Sequence, residues 1–450
     1  MRQSPRLTRS LLCVAVIASA MGLGLPAASA TIADGHPDST WMTNGYVFAT
    51  AQYGNVLFIG GNFTQVRSNP PATPGGTIIH LNDLAAIDMT TGAAIPSFHP
   101  AVIESDFVQT KKDGVRALAV VGDKLFVGGQ FTSIDGQPHY NLAAIDIDPT
   151  FLTATVDPAF NPVVGVPGAD NANKFRVFKI LPGPDGIYIG GAFSFVDGIG
   201  RSKTAKLNFD GSLVATWKTP GVNAGVRDMQ FAADGNTIFI SGGFSLFEGA
   251  ARQSIVRVSA ATGALDTWAI PAGQVPIGGP SAPHYGMICW SLAVTVTRLF
   301  AGCGETPNYD AAFRLDNGDS GDRTWLFGTS GNDQAIALTP DGQSLVFGGH
   351  FGTYGTMSVC SGHYLKNLGI LHNLYGFSTP TLDCGFLPQF WGPDPFGGVW
   401  SIVTTPTQIW AVGMFTMVDC DPGPARPGQP SYIACPNGRG QRGIVRFSSG

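Results

Sequence analysis

The sequence predicts an all-β protein, namely a seven-bladed β-propeller of four-stranded antiparallel blades. Two observations lead to this prediction: a unit of apolar strand and paired glycines recurs about every 60 residues, and further short apolar runs flank each copy. The composition agrees, because 60 Gly and 32 Pro with only 13% charged residues are typical of many short strands joined by tight turns.

The recurring unit joins an apolar run to two glycines, an aromatic residue and a turn. Four copies are clear: NVLFIGGNFTQV (55–66), DKLFVGGQFTSIDG (123–136), DGIYIGGAFSFVDG (185–198) and NTIFISGGFSLFEG (236–249). Three are degraded: TRLFAGCGE (297–305), QSLVFGGHFGTYG (343–355) and TQIWAVGMFTMVD (407–419). Glycine inside a strand indicates a bulge or a close backbone approach. The aromatic that follows is expected to fill the widening space between blades.

Three other segments complete each unit. A short apolar run precedes every copy, as in VRALAVVG (115–122) and VRDMQFA (226–232), and a Gly-, Asp- or Asn-containing turn joins the two as a hairpin. A third run follows, as in NLAAIDIDPT (141–150), and a fourth segment carries an aromatic and often a proline, as in Phe160 with Pro162. Each unit is therefore predicted to be a four-stranded meander.

The first 30 residues are interpreted as a signal peptide, so the domain spans 31–450. Arg2, Arg6 and Arg9 precede an apolar stretch that ends at Ala28-Ser29-Ala30, the small-residue pattern of a cleavage site. No second apolar span is long enough to cross a bilayer. We therefore expect a secreted protein, extracellular or at the cell surface, without a membrane span in its mature form.

The two ends of the mature chain are expected to share the last blade. The final copy stops after the third-strand piece RGIVRFSSG (442–450), while DSTW (38–41) resembles the fourth-strand pieces LDTW (265–268) and DRTW (322–325). An unclosed propeller would expose sheet faces and an edge strand. Thr40 and Trp41 are therefore predicted to complete the seventh blade.

Charge narrows the range of partners. Without the three signal-peptide arginines the chain has 23 basic and 31 acidic side chains, a net charge of −8. This balance disfavours nucleic acid and anionic membranes as partners. We expect a monomer that needs no cofactor.

Six cysteines remain after the signal peptide, which suggests three disulfides in an exported chain. CxxC metal spacing is absent, so structural bridges are favoured over a metal site. Fifteen pairings are possible, and pairing between sequence neighbours fits the blade layout best, with Cys289 and Cys303 placed symmetrically about a hairpin. The six are Cys289, Cys303, Cys360, Cys384, Cys420 and Cys435.

The motif [LIV]-[FY]-[IV]-G-G-x-F-[ST]-x-[VI]-D-G, followed by L-A-A-I-D and x-T-G, resembles the secreted bacterial β-propeller repeats called delta-sixty repeats. It is similar, more distantly, to kelch-type and cortical-marker propellers. The resemblance covers 46–450, strongly in the first four copies and weakly in the last three. It implies a propeller fold and export but no particular reaction, because propellers support many functions.

Candidate site residues lie in the long loops expected over the central channel. Glu104, Asp106 and Asp170 are the candidate catalytic carboxylates for a glycosidase or a Ca²⁺ site, although solvated loop acids are far commoner. A second set, four aromatic rings suited to stacking on sugars or gripping a peptide together with one aspartate, is the candidate ligand-binding set; the alternative is that these rings pack their own loops. This second set is Tyr285, Phe390, Trp391, Asp394 and Phe396. No metal-ligand constellation, nucleophile elbow, P-loop or dinucleotide fingerprint is found.

Three functions follow as hypotheses. The leading one is a secreted, non-enzymatic propeller that binds an extracellular protein or glycan. The second is a glycan hydrolase or lyase that uses the loop carboxylates, and the third is a structural role at the cell surface. Carboxylates clustered over the channel with strongly shifted pKa values would favour the second.

Overall fold

The computed structural model describes residues 33, 35–68, 75–100, 102–103, 114–165, 175–274, 287–305, 308–351, 358–360, 363–388, 390, 397–419 and 439–449. Within these ranges the regular elements are strands, and no helix is present. The strands pair antiparallel in chain order, first with second and second with third, as a meander requires.

Seven larger sheets are found among the described residues, and we number them along the chain. Their strands are, for sheet 1, Tyr46–Tyr53, Val56–Asn62 and Leu84–Asp88; for sheet 2, Gly114–Val121, Lys124–Gln130, Leu142–Ile147 and Ala154–Val156; for sheet 3, Arg176–Pro182, Ile187–Ala192 and Thr204–Leu207; for sheet 4, Val226–Phe231, Thr237–Gly242 and Ile255–Ser259; for sheet 5, Ile288–Val294, Arg298–Gly304, Tyr309–Arg314 and Arg323–Gly328; for sheet 6, Asp333–Leu338, Leu345–Gly349, Leu368–His372 and Thr381–Leu382; and for sheet 7, Val399–Thr404, Gln408–Gly413 and Ile444–Ser448.

Six small hairpins or ribbons accompany the sheets, mostly where the sequence reads F-[ST]-x-[VI]-D-G. Asp135 and Gly136 both have positive φ, 51° and 73°, which a tight two-residue hairpin turn requires. The strands are Met42–Thr43, Gln65–Arg67 and Ile78–His80; Val102–Ile103, Ser133–Ile134 and Gln137–Pro138; Phe195–Val196 and Ile199–Gly200; Leu246–Phe247 and Ala250–Ala251; Ser358–Cys360 and His363–Tyr364; Met417–Val418 and Arg439–Gly440.

The first strand of each larger sheet contacts the first strand of the next sheet along the chain, and the first strand of sheet 7 contacts that of sheet 1. Apolar side chains form one buried cluster at each of these boundaries. Each aromatic after the paired glycines is at most 2% exposed, as expected for residues that fill these boundaries. The architecture is therefore all-β and propeller-like.

The paired glycines have two different partners, as Gly60 and Gly61 of sheet 1 show. A Cβ on Gly60 would lie 2.3 Å from Cγ1 of Val115 in sheet 2, so this glycine permits close packing between sheets. A Cβ on Gly61 would lie 2.0 Å from the carbonyl oxygen of Tyr46, in the neighbouring strand where a β-bulge begins. Both readings of the glycines, close approach and bulge, are thus correct for different members of the pair.

The prediction of four strands per sheet holds fully for sheets 2, 5 and 6 within the described residues. In sheets 1, 3 and 4 the fourth segment is reduced to single bridges, such as Ile87 to Ala94. In sheet 1 the cause is local, because Ile95 donates to Ala86 and Pro96, which has no N–H, comes next.

The segment 38–44 lies beside the last strands of sheet 7. The N–H of Asp38 donates to the carbonyl oxygen of Arg446 at 2.8 Å, and Arg446 Nε lies 2.7 Å from Asp38 Oδ2. Buried Thr40 accepts a hydrogen bond from Gln441 at 2.9 Å, and the N–H of Trp41 donates to Gly92 of sheet 1 at 2.8 Å. Asp38, rather than Thr40 or Trp41, thus makes the strand-like hydrogen bond to sheet 7.

Candidate functional site

A β-bulge interrupts the first strand of every larger sheet at the same place. In each, the register skips one residue between the first strand and the second. The side chain of such an extra residue no longer alternates with those of its neighbours along the strand, and it points in a different direction. The seven skipped residues, which we call the bulge ring, are Phe48, Arg116, Phe178, Arg227, Trp290, Gln334 and Trp400.

The bulge ring lines a cavity of about 500 Å³ together with other residues of the seven first strands. A volume of this size is typical of small-ligand sites. Four of the seven side chains are aromatic, two are arginines and one is an amide. Such residues are suited to recognition, because aromatic and arginine side chains supply most of the binding energy at protein interfaces.

The two arginines lie against the aromatic rings. The guanidinium carbon of Arg227 is 4.3 Å from the ring centre of Phe178 and 4.4 Å from that of Trp290. Arg116 is 3.6 Å from the ring centre of Phe48 and 5.8 Å from that of Trp400. Stacking of this type fixes the plane of each guanidinium and therefore the direction of its N–H donors.

The rings also contact one another across the cavity. Trp400 meets Phe48 and Trp290 edge to face, with ring centres 5.6 Å and 5.9 Å apart. Six of the seven bulge-ring side chains, all except Gln334, are therefore connected through ring contacts, and each aromatic ring restricts the rotamers of its neighbours.

Several polar atoms of the bulge ring are buried without a hydrogen-bond partner among the described residues. They are Nε1 of Trp290, Nε1 of Trp400 and Oε1 of Gln334. An unmatched buried donor or acceptor costs about 1–3 kcal/mol.

Arg227 has an unusual electrostatic environment. Burial, followed by the charge of Arg176, lowers its pKa to about 10, and Glu305 partly opposes this shift. Arg227 has no ion-pair partner within 4 Å among the described residues. By contrast Lys179, which also lines the cavity, forms an ion pair with Asp228, with Nζ 2.7 Å from Oδ1.

Asp228 and Ser291 link three neighbouring sheets next to the bulge ring. Its Oδ2 accepts from the N–H of Leu292 at 2.7 Å, and Ser291 Oγ accepts from the N–H of Ile336 at 3.2 Å. These hydrogen bonds join sheets 4, 5 and 6. The first strands that carry the bulge ring are thereby held together by hydrogen bonds from backbone N–H groups to side chains as well as by side-chain packing.

Two buried carboxyl groups lie at the boundary of sheets 5 and 6. Asp310 and Asp333 are both 0% exposed, and three of their four carboxyl oxygens have no hydrogen-bond partner among the described residues. Burial raises the pKa of each well above its ordinary value, and the Asp310 charge raises that of Asp333 further, while a hydrogen bond from Thr329 opposes the rise. A carboxyl group in such surroundings favours its protonated form.

A serine, a histidine and an aspartate are hydrogen-bonded in sheet 6. Ser344 Oγ is 2.8 Å from His372 Nδ1, and His372 Nε2 is 3.2 Å from Asp383 Oδ2. Sheet 2 has Lys124 at the corresponding position, 2.6 Å from both its cross-strand acids. Ser344 is only 3% exposed. The sheet 6 group is thus a variant of the cross-strand polar contact of sheet 2, which indicates a structural role.

The predicted site residues fall largely outside the described residues. Glu104, Asp106, Asp170, Tyr285, Trp391, Asp394 and Phe396 all do so, and they stay predictions. Phe390 is described: it is 1% exposed and its ring centre lies 4.8 Å from that of Phe415. Its position corresponds to the packing alternative rather than to an exposed ligand-binding ring.

The cysteines are partly described. Cys289 and Cys303 occupy opposite positions in sheet 5 and form a disulfide, with Cα atoms 4.0 Å apart, so this predicted pair is confirmed. Cys384 is disulfide-bonded as well. The side chains of Cys360, Cys420 and Cys435 lie outside the described residues.

The described part of the chain contains no cluster of three or more His, Cys, Asp or Glu side chains arranged to hold a metal ion. It also contains no helix with the length and apolar character needed to span a membrane.

Comparison with known proteins gives one family match. Residues 183–213, within sheet 3, match the family described as "Domain of unknown function (DUF5122) beta-propeller". No curated protein matches the chain. The match supports the propeller-like architecture, while the delta-sixty resemblance remains a resemblance.

Solved structures similar to the chain include a WD40 β-propeller domain. The WD40 β-propeller domain of Doa1 is 13% identical, with 85% of this chain and 94% of that chain covered and a TM-score of 0.47. Sqt1 from Chaetomium thermophilum is 16% identical, with 92% and 90% covered and a TM-score of 0.47. Sqt1 of the same organism bound to the N-terminus of the ribosomal protein L10 is 14% identical, with 85% and 87% covered and a TM-score of 0.46.

Sequence reasoning missed the bulge ring and the buried acids. A signal for the ring was present, since VRALAVVG (115–122) and VRDMQFA (226–232) each place an arginine directly after the first valine of the strand. The buried acids could be recognised only as departures from the repeat. Asp333 occupies the position at which five other sheets have a valine, opposite a glycine of the second strand.

Proposed function

We propose that the chain is an extracellular binding module, a closed seven-bladed propeller that holds a protein or glycan ligand at the bulge ring. The observation that carries the proposal is the ring itself, in which seven equivalent bulges direct aromatic and arginine side chains to one cavity. The proposal assigns no reaction to the protein.

Closure is supported by the cyclic contacts of the first strands and by the hydrogen bonds of Asp38 and Thr40 to the last sheet. Deletion of residues 31–45 should lower the melting temperature by several degrees more than Arg446→Gln, which removes the ion pair with Asp38 and the hydrogen bonds of Arg446 to the carbonyl oxygens of Met89 and Thr90. An unchanged melting curve would contradict closure by the N-terminal segment.

Export is supported by the signal-like N-terminus and by the Cys289–Cys303 disulfide, because disulfides persist in oxidising compartments. Fractionation of cells that express the full chain should place a product beginning near Thr31 in the medium or at the cell surface. Retention of the intact chain inside the cell would contradict export.

The identity of the ligand class is open to direct measurement. The mature chain would be applied to a glycan array and used to capture proteins from culture supernatant, and each candidate ligand would then be titrated by calorimetry. Trp290→Ala and Trp400→Ala should weaken binding at least tenfold. Phe151→Ala, which removes a ring that is 69% exposed and outside the cavity, is the matched control and should bind normally.

Loss of binding in the Phe151→Ala control, or full binding in both tryptophan variants, would show that the ligand does not use the bulge ring. Melting curves of all four proteins exclude misfolding as the cause of any loss.

A further inference from the structure

We infer that the bulge ring binds a short segment of a protein partner in which one glutamate or aspartate lies between apolar residues. This inference rests on the proposed function and selects a protein over a glycan as the ligand. It is carried by two side chains on the first strand of sheet 4, Arg227 and Gln230, which line the cavity and have no hydrogen-bond or ion-pair partner among the described residues.

Arg227 supplies a site for one carboxylate. Its guanidinium lies between the rings of Phe178 and Trp290, and the one lysine of the cavity lining, Lys179, is already paired with Asp228. The guanidinium nitrogens of Arg227 are accessible, unlike the shielded indole nitrogen of Trp290. Planar guanidinium groups bind carboxylates through paired N–H donors, so an anion that enters the cavity finds its partner at Arg227.

The surroundings of Arg227 select the chemical group that carries the carboxylate. The indole N–H groups of Trp290 and Trp400 and Oε1 of Gln334 are shielded, so the bulge ring presents mainly ring carbon beside the guanidinium. In glutamate and aspartate the carboxylate is attached to methylene groups, which can lie against carbon. In a sugar acid it is attached to a ring of hydroxyl groups, which would lose their hydrogen bonds to water there. An acidic side chain therefore fits better.

Gln230 supplies a site for the backbone of the same segment. Its side-chain amide has no hydrogen-bond partner among the described residues, and its polar atoms are not shielded. A side-chain amide both donates and accepts, so it can exchange two hydrogen bonds with one peptide group. Arg227 and Gln230 are three residues apart on one strand, and an extended segment of about the same number of residues can reach both.

The size of the cavity and the charge of the protein limit the segment further. A volume of about 500 Å³ is typical of small-ligand sites, so it admits a short segment but not a folded surface. The chain has a net negative charge, so a segment with many acidic residues would be repelled. The partly exposed rings of Trp290 and Trp400 can instead be covered by apolar neighbours of a single acid.

The test is calorimetric titration of the mature chain with three probes. They are a peptide of sequence Ala-Leu-Glu-Leu-Ala with both ends blocked, the same peptide with glutamine in place of glutamate, and digalacturonic acid. We expect the glutamate peptide to bind about tenfold or more tightly than either of the others. In Arg227→Gln the two peptides should bind equally, because the partner of the carboxylate is gone. Gln230→Leu should weaken both peptides by about threefold or more and keep the preference for glutamate.

Lys218→Gln is the matched control, because it removes one exposed positive charge outside the cavity and should leave the preference for glutamate unchanged. Melting curves of each variant exclude misfolding. Three results would overturn the inference: no measurable binding of the glutamate peptide, equal binding of the two peptides to the wild-type chain, or a preference for glutamate that persists in Arg227→Gln.

Tighter binding of digalacturonic acid than of the glutamate peptide would overturn the inference as well. If Trp400→Ala abolished that binding, the bulge ring would still be the ligand site and the proposed function would stand. The failures of the two proposals are therefore distinguishable.

Discussion

The boundary between sheets 1 and 2 and the boundary between sheets 5 and 6 occupy equivalent places in the repeat but have opposite chemistry. In the first, Leu84 lies opposite Gly60, and Val115 of the next sheet packs against that glycine. In the second, Asp310 lies opposite Gly302, and Asp333 replaces the valine. An apolar pair has become a pair of buried carboxyl groups.

The difference shows that the repeat does not give every boundary between sheets the same apolar packing. Leu84 and Val115 belong to an apolar cluster and are both 0% exposed, so their burial favours folding. Asp310 and Asp333 are equally buried, yet three of their four carboxyl oxygens have no hydrogen-bond partner among the described residues, so the ionised forms are poorly compensated. The second boundary is therefore expected to be the less stable of the two at neutral pH.

The largest expected effect comes from making the first boundary resemble the second. Val115→Asp should destabilise the protein by about 3 kcal/mol or more, because it leaves an unpaired carboxyl group in an apolar cluster. Denaturant unfolding at neutral pH measures the change. Val296→Asp, at a position 77% exposed, is the control and should change stability by about 0.5 kcal/mol or less. Equal effects of the two variants would mean that the first boundary does not depend on apolar packing.

The disulfide of sheet 5 gives the next largest effect. Cys289→Val with Cys303→Gly restores the residue types of sheets 2 and 3, but it opens a loop with a sequence separation of 14, which should cost about 3 kcal/mol. If the disulfide compensates for the buried acids, the loss will be greater in the wild-type background than with Asp310 and Asp333 replaced. A double-mutant cycle measures this coupling, and a zero coupling energy would refute compensation.

Repair of the second boundary should have a smaller, stabilising effect. Asp310→Leu with Asp333→Val restores the residue types of the first boundary and should add about 1–4 kcal/mol at neutral pH. The midpoint of denaturant unfolding measures the gain. A loss of stability instead would show that the carboxyl groups make contacts that support the native structure.

The smallest effect is the pH dependence that distinguishes the two boundaries. The pKa values of Asp310 and Asp333 are raised in the folded protein, so the native state retains protons that the unfolded chain releases above pH about 4. Stability should therefore fall as pH rises from about 4 towards the raised pKa values, by up to about 1.4 kcal/mol per pH unit for each proton retained.

Asp310→Asn with Asp333→Asn should remove this slope, because amides do not titrate. Unfolding measured at several pH values on both proteins tests the sign. Wild-type stability that rises over the same interval, with the variant unchanged, would show that the carboxyl groups ionise in the folded protein.

Much of the fold could be predicted from residues that recur. The copy at 123–136 gave the strand Lys124–Gln130, the buried ring of Phe131 and the turn at Asp135. These features depend on local rules, namely apolar runs, strand glycines and Asp-Gly turns.

The site was harder to predict because its residues are exceptions to those rules. A bulge shifts the register by one residue, and no residue type marks it, so Phe48 read as one more apolar member of its strand. Asp310 and Asp333 lie where the repeat pattern fails, and a pattern predicts only the positions at which it holds. The fourth segments were overestimated for a related reason, because apolar patterning does not show whether a segment that contains a proline keeps more than a single bridge to the sheet.

A strand residue usually has to serve both the packing between sheets and any ligand site, and the seven bulges separate these two roles. A bulged side chain takes no part in the alternation that packs one sheet against the next, and no bulge-ring residue belongs to the apolar clusters at the boundaries, so its replacement changes contacts within the ring but leaves those clusters intact. The ring can therefore vary over evolutionary time independently of the clusters that hold the sheets together. A common scaffold could in this way acquire new ligands through changes at seven sites while its sheets keep the same packing.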